Sequence, residues 1–255
     1  IRMVTGVQTC ALPILVEAFI KKSIENGIDI IRVFDALNDT RNMETSIRVI
    51  KENGAHCQCA ICYTTSPVHT LDYYVELSIK LERLGVHSIC INDMAGILTP
   101  YSAFELVKKL KAAVKIPLCL HAHCTSGIAS MTYLKAVEAG VDIIDTAISP
   151  FSEGASQPPT ESMVLTLKES PRDPKLDINL LGEIADYFRP IKEKYRENGI
   201  LNPKVMNVEP RIITYQVPGG MLSNLLSELK EQGVEARYKE VLTEIPRVRK
   251  DLGFP

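Results

Sequence analysis

The sequence predicts an α/β protein: part of a (β/α)8 TIM barrel followed by a helical C-terminal extension. Three observations carry that prediction. From Leu15 onward, short apolar and β-branched runs alternate with longer stretches of helical apolar period. This strand-plus-helix unit recurs at intervals of about 25–30 residues, the repeat of a βα fold. Polar residues collect at the carboxyl ends of several different strands, where a barrel builds one site from many loops.

Residues 1–14, IRMVTGVQTCALPI, show neither helical period nor strand alternation, and they join the amphipathic stretch near Leu15 without a capping residue. They lack the basic start, continuous apolar middle and small-residue cleavage site of a signal peptide. The run from Val4 to Ile14 resembles the in-frame translation of a sequencing-adapter oligonucleotide, so this segment is expected to be foreign to the fold. Strands are expected at 28–37, 59–65, 87–93, 117–123 and 141–148, with helices between them such as 101–114. Gly27, Gly85 and Gly140 each precede a strand, where a helix end favours positive φ. An open doubly wound sheet fits the same alternation, but no G-x-G-x-x-G or G-x4-G-K-[ST] follows any strand. Asp35 with Asn38, Tyr63 with Thr64, Asn92 with Asp93, His121 with His123, and Asp145 instead mark the strand ends. After about Ser170 the pattern turns helical, at 176–198, 222–233 and 236–253. The expected organisation is an artefact segment at 1–14, a partial barrel at 15–170, and from Pro171 the start of an incomplete helical extension, 171–255.

The 255 residues are 45% hydrophobic with a formal net charge of −2, the composition of a globular chain with a sizeable core. No basic stretch is dense enough for a phosphate backbone, so no nucleic acid is expected as a partner. No apolar run approaches the roughly 20 residues that span a bilayer, and a cytoplasmic role on small molecules is expected. Seven cysteines need a redox assignment. Cys62, Cys90 and Cys119 fall in apolar strand runs, as reduced thiols serving as small hydrophobes do. The group His56, Cys57, Cys59, Cys62 lacks a second ligand pair and alternates across a strand, so it is a poor zinc site.

His121-Ala122-His123 is the sharpest local signal. Residues i and i+2 of a strand share a face, so the two imidazoles can serve one metal ion, and the small turn Thr125-Ser126-Gly127 follows. Around this pair stand RVFDALND (32–39), YTTSPVHT (63–70), DMAGILTP (93–100), LHAHCTSG (120–127), DTAIS (145–149), SQPPTE (156–161) and YQVPGGMLSNL (215–225). In content and order these motifs resemble the biotin-dependent carboxyltransferase family, which includes the oxaloacetate decarboxylase α subunit, pyruvate carboxylase with its separate B subunit, and the transcarboxylase 5S subunit. The likeness runs from about Leu15 to the end of the chain.

The resemblance implies a barrel of which about strands 4–8 are present here. It also implies a divalent metal ion (Zn, Co or Mn) that polarises a keto acid and stabilises the pyruvate enolate while CO2 moves to or from biotin. Family ligands are an aspartate of a D-A-H-Q-S motif, a carbamylated lysine and the two histidines of H-x-H. His121 and His123 match the last two, while the D-A-H-Q-S motif and a pyruvate-binding arginine strand are absent from the sequence. Where the family reads K-D-M, this chain has Asn92-Asp93-Met94, and asparagine has no amine to carry a carbamate. Where many relatives carry a proton-shuttling threonine before S-Q-P, this chain has Ala155. Thr160 is a nearby hydroxyl that either compensates or, with Glu161, starts a helix. Asp35 and Asp145 either support the site or cap loops, Met94 lines the substrate pocket or packs, and Gln216, Gly219 and Gly220 belong to a turning loop at the barrel mouth.

Pyruvate or oxaloacetate is the implied substrate. No A-M-K-M motif is present, so biotin comes from a separate carrier domain or subunit. Membrane decarboxylase subunits and a homo-oligomer of the intact protein are the remaining implied partners. Two alternatives stand beside this reading. One is an acyl-CoA lyase or aldol-type synthase with a metal-binding H-x-H. The other is a noncatalytic remnant, since five of eight strands leave sheet edges exposed and favour aggregation.

Overall fold

The structure, a computed structural model, describes residues 3–7, 13–201, 206–217 and 219–254. Its strands form one sheet in sequence order: β1 (Met3–Val7), β2 (Ile30–Phe34), β3 (His56–Cys62), β4 (Ser88–Asp93), β5 (Leu118–Ala122) and β6 (Ile143–Ile144). The chain divides into two compact units. The first comprises Ile1–Asn92, Glu105–Leu120 and Gly140–Ile143; the second comprises Asp93–Phe104, His121–Ala139 and Ile144–Pro255.

In the first unit, α1 (Pro13–Glu25), α2 (Thr40–Glu52) and α3 (Leu71–Arg83) alternate with the strands, and the β1–β2, β2–β3 and β3–β4 pairs are all parallel. β3 and β4 are buried along nearly their whole length, as strands covered on both faces must be. Their register stacks side chains in rows. Arg32, Gln58 and Ser88 are aligned across three strands, with Arg32 Nε donating to Gln58 Oε1 at 2.6 Å and Gln58 Nε2 to Ser88 Oγ at 3.1 Å. Two residues further along, Phe34, Ala60, Cys90 and Cys119 pack as an apolar layer. The next rung pairs Cys62 with Asn92.

All five expected strands are present, with two shifts. The third-strand expectation, 59–65, moves to His56–Cys62, because Tyr63 and Thr64 enter a loop closed by Tyr74, whose hydroxyl accepts from Thr64 N at 2.9 Å and donates to Thr64 O at 2.6 Å. The last strand shrinks to two residues. At the other end, Met3–Val7 is a strand where none is expected, paired with β2 from Met3↔Ile30 and irregular between Thr5 and Val7. An edge strand is held by backbone pairing, which needs no side-chain alternation. The rest of 1–12 lies outside the described residues.

The six cysteines whose state is described are all free and buried, and burial, with the neighbouring Asp35 charge, pushes the Cys62 thiol up to about 12. In the suggested zinc group, His56 Nε2 meets Ser88 Oγ at 2.7 Å. After β2, Asn38 adopts φ 58° and its amide clasps the Cys62 backbone, Nδ2 donating to Cys62 O at 3.0 Å and Oδ1 accepting from Cys62 N at 2.8 Å. Asn38→Ala loses both bonds and the tolerance of asparagine for that backbone region, so a cost of about 2 kcal/mol is expected in urea denaturation. A cost under about 0.5 kcal/mol would show that the clasp is dispensable.

The second unit holds α5 (Ala129–Glu138), α6 (Thr160–Leu167), α7 (Ile178–Glu197), the short α8 (Ile212–Tyr215), α9 (Gly219–Glu231) and α10 (Tyr238–Asp251), and α4 (Pro100–Ala113) begins in it. Asp177 caps α7 by accepting from Asn179 N at 2.9 Å. Gly219 and Gly220 open α9 and do not lie in a loop, whereas Gln216 does turn the chain, at φ 56°, with its Oε1 held by Arg249. No helix among the described residues is long and apolar enough to cross a membrane.

Candidate metal centre

Asp93, at the end of β4, is 1% exposed and organises the turn that follows. Its carboxylate accepts from Ile97 N at 3.0 Å and Leu98 N at 2.8 Å, and its carbonyl accepts from His123 N at 3.0 Å. Burial raises its pKa to about 6, against the opposing pull of the backbone donors Leu98, Ile97, Gly96 and Ala95. Within that turn Gly96 sits at φ 68°, and a Cβ there would lie 2.4 Å from His123 O. Ser126 Oγ donates to Gly96 O, and Thr132 Oγ1 donates to Leu98 O at 2.8 Å. The loop that presents His123 is therefore fastened to this turn at several points.

The two histidines of β5 and its exit converge. Their Nε2 atoms are 3.4 Å apart, so both rings address the same space, as the i, i+2 spacing predicts. His121 Nδ1 lies 2.9 Å from Asp145 Oδ2, and His123 Nδ1 lies 2.5 Å from Ala155 O. A carboxylate and a carbonyl only accept, so each Nδ1 carries the proton, and in the neutral ring each Nε2 keeps its lone pair. Burial first, then the charge of His121, pulls the His123 pKa down to about 4, although the Ala155 carbonyl pulls the other way. Gln157 Nε2 stands 3.2 Å from His121 Nε2. Two oriented neutral imidazoles with outer acceptors on their far nitrogens are a donor set suited to a divalent ion.

The Ala155 carbonyl is aimed by a tight turn. Glu153 and Gly154 both have positive φ, 66° and 53°, Glu153 N donates to Gln157 O and Ser156 N to Glu153 O, each at 2.9 Å, and Cys124 N donates to Ser156 O at 2.7 Å. Thr160 is the first residue of α6, and its hydroxyl donates to Thr146 Oγ1 at 2.9 Å, while Glu161 accepts from Ser149 N. Met94 is half-buried in the turn after β4. In the first unit, Asn92 is 6% exposed at the end of β4. Asp35 there accepts from Leu37 N, Asp39 N and Asn42 Nδ2, the bonding of a loop anchor. The structure thus gathers His121, His123, Asp145, Ala155 and Gln157. Sequence reading singled out the first four but missed Gln157, whose only signal is its place in the SQPPTE motif, and it weighed Ala155 for a missing hydroxyl when its carbonyl is the contact.

Asp93 and His123 give opposite pH dependences to stability. Between pH 6.5 and about 4 the unfolded chain protonates His123 and the fold resists, so this contribution is lost as pH falls through that window. Between 3.8 and about 6 the fold keeps a proton on Asp93 that the unfolded chain releases, so this contribution is lost as pH rises. Each has a ceiling of about 3 kcal/mol, and together they nearly cancel. In chelator-treated protein, Asp93→Asn should therefore gain stability from pH 4 to 6.5 and His123→Gln should lose it, measured by urea denaturation. Equal slopes in the two variants would refute this balance.

The HMGL-like family model matches residues 14–187. The chain belongs to the HMGL-like family. A second model, the conserved carboxylase domain, matches residues 212–255 of this HMGL-like chain. The B subunit of pyruvate carboxylase from Methanocaldococcus jannaschii is 60% identical over 241 residues, covering 94% of the chain and 42% of that relative. The methylmalonyl-CoA carboxyltransferase 5S subunit of Propionibacterium freudenreichii subsp. shermanii is 44% identical over 243 residues, covering 94% and 47%. The carboxyl transferase domain of Rhizobium etli pyruvate carboxylase, solved with pyruvate, superposes with a TM-score of 0.93 at 34% identity, over 98% of the chain and 44% of that structure. The chain is thus similar to carboxyltransferase subunits and domains along nearly its whole length, and its parallel sheet and helices have the TIM-barrel-type fold of the Rhizobium domain. It spans less than half the length of these relatives.

Proposed function

We propose that this chain supplies part of a carboxyltransferase that moves CO2 between biotin and pyruvate or oxaloacetate. The observation that carries the reading is the convergence of the His121 and His123 Nε2 atoms, each ring fixed from behind by an acceptor. A divalent ion held there would polarise the keto-acid carbonyl and stabilise the negative charge of the enolate. The chain's own residues set up that centre: Asp145 and Ala155 O fix the tautomers and aim the rings, and the Asp93 turn holds the His123 loop in place. The carboxylase-domain match at 212–255 favours this reading over an acyl-CoA lyase or aldol-type synthase. Biotin arrives on a separate carrier domain or subunit, and the reaction takes place in the cytoplasm.

Asn92 and Ala155 occupy the positions of the family's carbamylated lysine and proton-shuttling threonine, and neither side chain can perform those tasks. These substitutions also favour a second reading, that the chain retains ion binding while its turnover is impaired. The centre is tested by titration calorimetry with zinc on the full chain and on His121→Ala. A single site whose affinity falls at least 100-fold in the variant is expected, since one of two protein ligands is removed. Equal binding by both proteins would place the ion elsewhere and end the proposal.

A further inference from the structure

We infer that Tyr133 is a positioning residue for the paired imidazoles, an inference that rests on the metal-binding reading above. Tyr133 is carried by α5 and is fully buried, at 0% exposure. Its hydroxyl accepts from Ala122 N at 2.8 Å and donates to Asp145 O at 2.7 Å, with Ala122 O a further 3.4 Å away. A phenol has one proton. That proton goes to the nearer carbonyl, that of Asp145, and a lone pair receives the Ala122 N–H.

The two backbones joined in this way are those that set the centre. Ala122 is the residue between the two histidines, and Asp145 is the residue whose carboxylate holds His121 Nδ1. β6 ends at Ile144, so ladder pairing stops just before Asp145. There the phenol oxygen, beside the His121–Asp145 hydrogen bond, ties the backbone of the H-x-H segment to that of the aspartate that orients its first ring. Without the hydroxyl, the buried Ala122 N–H and the partly buried Asp145 C=O are left to find each other or to splay apart. Either movement shifts His121 against Asp145 and, through Ala122, shifts both rings together. Outer partners of metal-binding histidines act in this way, and their loss typically weakens affinity 10- to 100-fold.

Tyr133→Phe is the test, in the full chain. Zinc affinity measured by calorimetry at a pH where the variant is folded should weaken roughly 10- to 100-fold, and the visible band of the cobalt-loaded form should change. In an Asp145→Asn background the same change should have little further effect, because the two act on one ring. Unchanged zinc affinity, or fully additive losses, would leave Tyr133 a packing residue and overturn the inference. A readout independent of metal is the proton resonance of His121 Nδ1–H. It should be present and hydrogen-bonded in the parent and shifted or lost in Tyr133→Phe. Thus absence of zinc binding in the parent defeats the metal reading, while an unmoved resonance defeats the positioning role. Should the variant not fold, amide exchange in the parent decides. By linkage, zinc loading should slow exchange at Ala122 N–H, and no slowing would overturn the inference.

Discussion

Gly96→Ala should destabilise the fold by about 3–5 kcal/mol, lowering the urea midpoint with little change in slope. Two costs add. At φ 68° any L-residue is strained, by about 1–2 kcal/mol. The new Cβ would also lie 2.4 Å from His123 O and 3.2 Å from Thr125 N, which are backbone atoms that cannot rotate aside. Relief requires moving either the Asp93 turn or the loop carrying His123, so zinc affinity should weaken along with stability. Gly54→Ala separates the two costs. Gly54 has φ 74° but nothing within 4 Å of the position its Cβ would take, so its replacement should cost only the backbone part, about 1 kcal/mol. Equal losses for the two variants would remove the steric argument.

The second large effect concerns chemistry. In a chimera where this chain replaces the matching span of its Methanocaldococcus relative, carboxyl exchange between biotin and pyruvate should be near background. Asn92→Lys with Ala155→Thr should raise it by about 10²–10⁴, the range contributed by a positioned proton-transfer group, and avidin should abolish the gain. Asn92→Lys supplies an amine able to take up CO2, and Ala155→Thr supplies the hydroxyl. The Ala155 carbonyl that holds His123 is kept in either case. Full activity in the chimera before any substitution would show that neither side chain is needed, whereas a double variant without activity would show that the two positions are not what limits turnover.

Much of this architecture was legible in the sequence because it depends on periodicity. The strands at 28–37, 87–93 and 117–123 contain β2, β4 and β5, since continuous burial demands unbroken apolar runs. His121 and His123 point to one side because an extended segment leaves i and i+2 no alternative, and their Nε2 atoms meet. β1 escaped because its pairing is a backbone matter, and β3 was placed late because Tyr63 and Thr64 look like strand residues while Tyr74 holds them in a loop. Asp35 shows the limit of composition: a carboxylate at a strand end reads the same whether or not it accepts from three loop donors, and only the fold shows that it does. Tyr133 lies in a helix with no local pattern to distinguish it, and only the fold reveals what its hydroxyl reaches.

The turn that aims the Ala155 carbonyl divides two duties at one position. Steadying the imidazole belongs to the main chain and survives any side chain the turn can accommodate, while on the proposed function handing on a proton would belong to the side chain alone. A lineage could therefore lose and regain the second without disturbing the first. Shortening the turn by a single residue would harm His123 more than any replacement at 155.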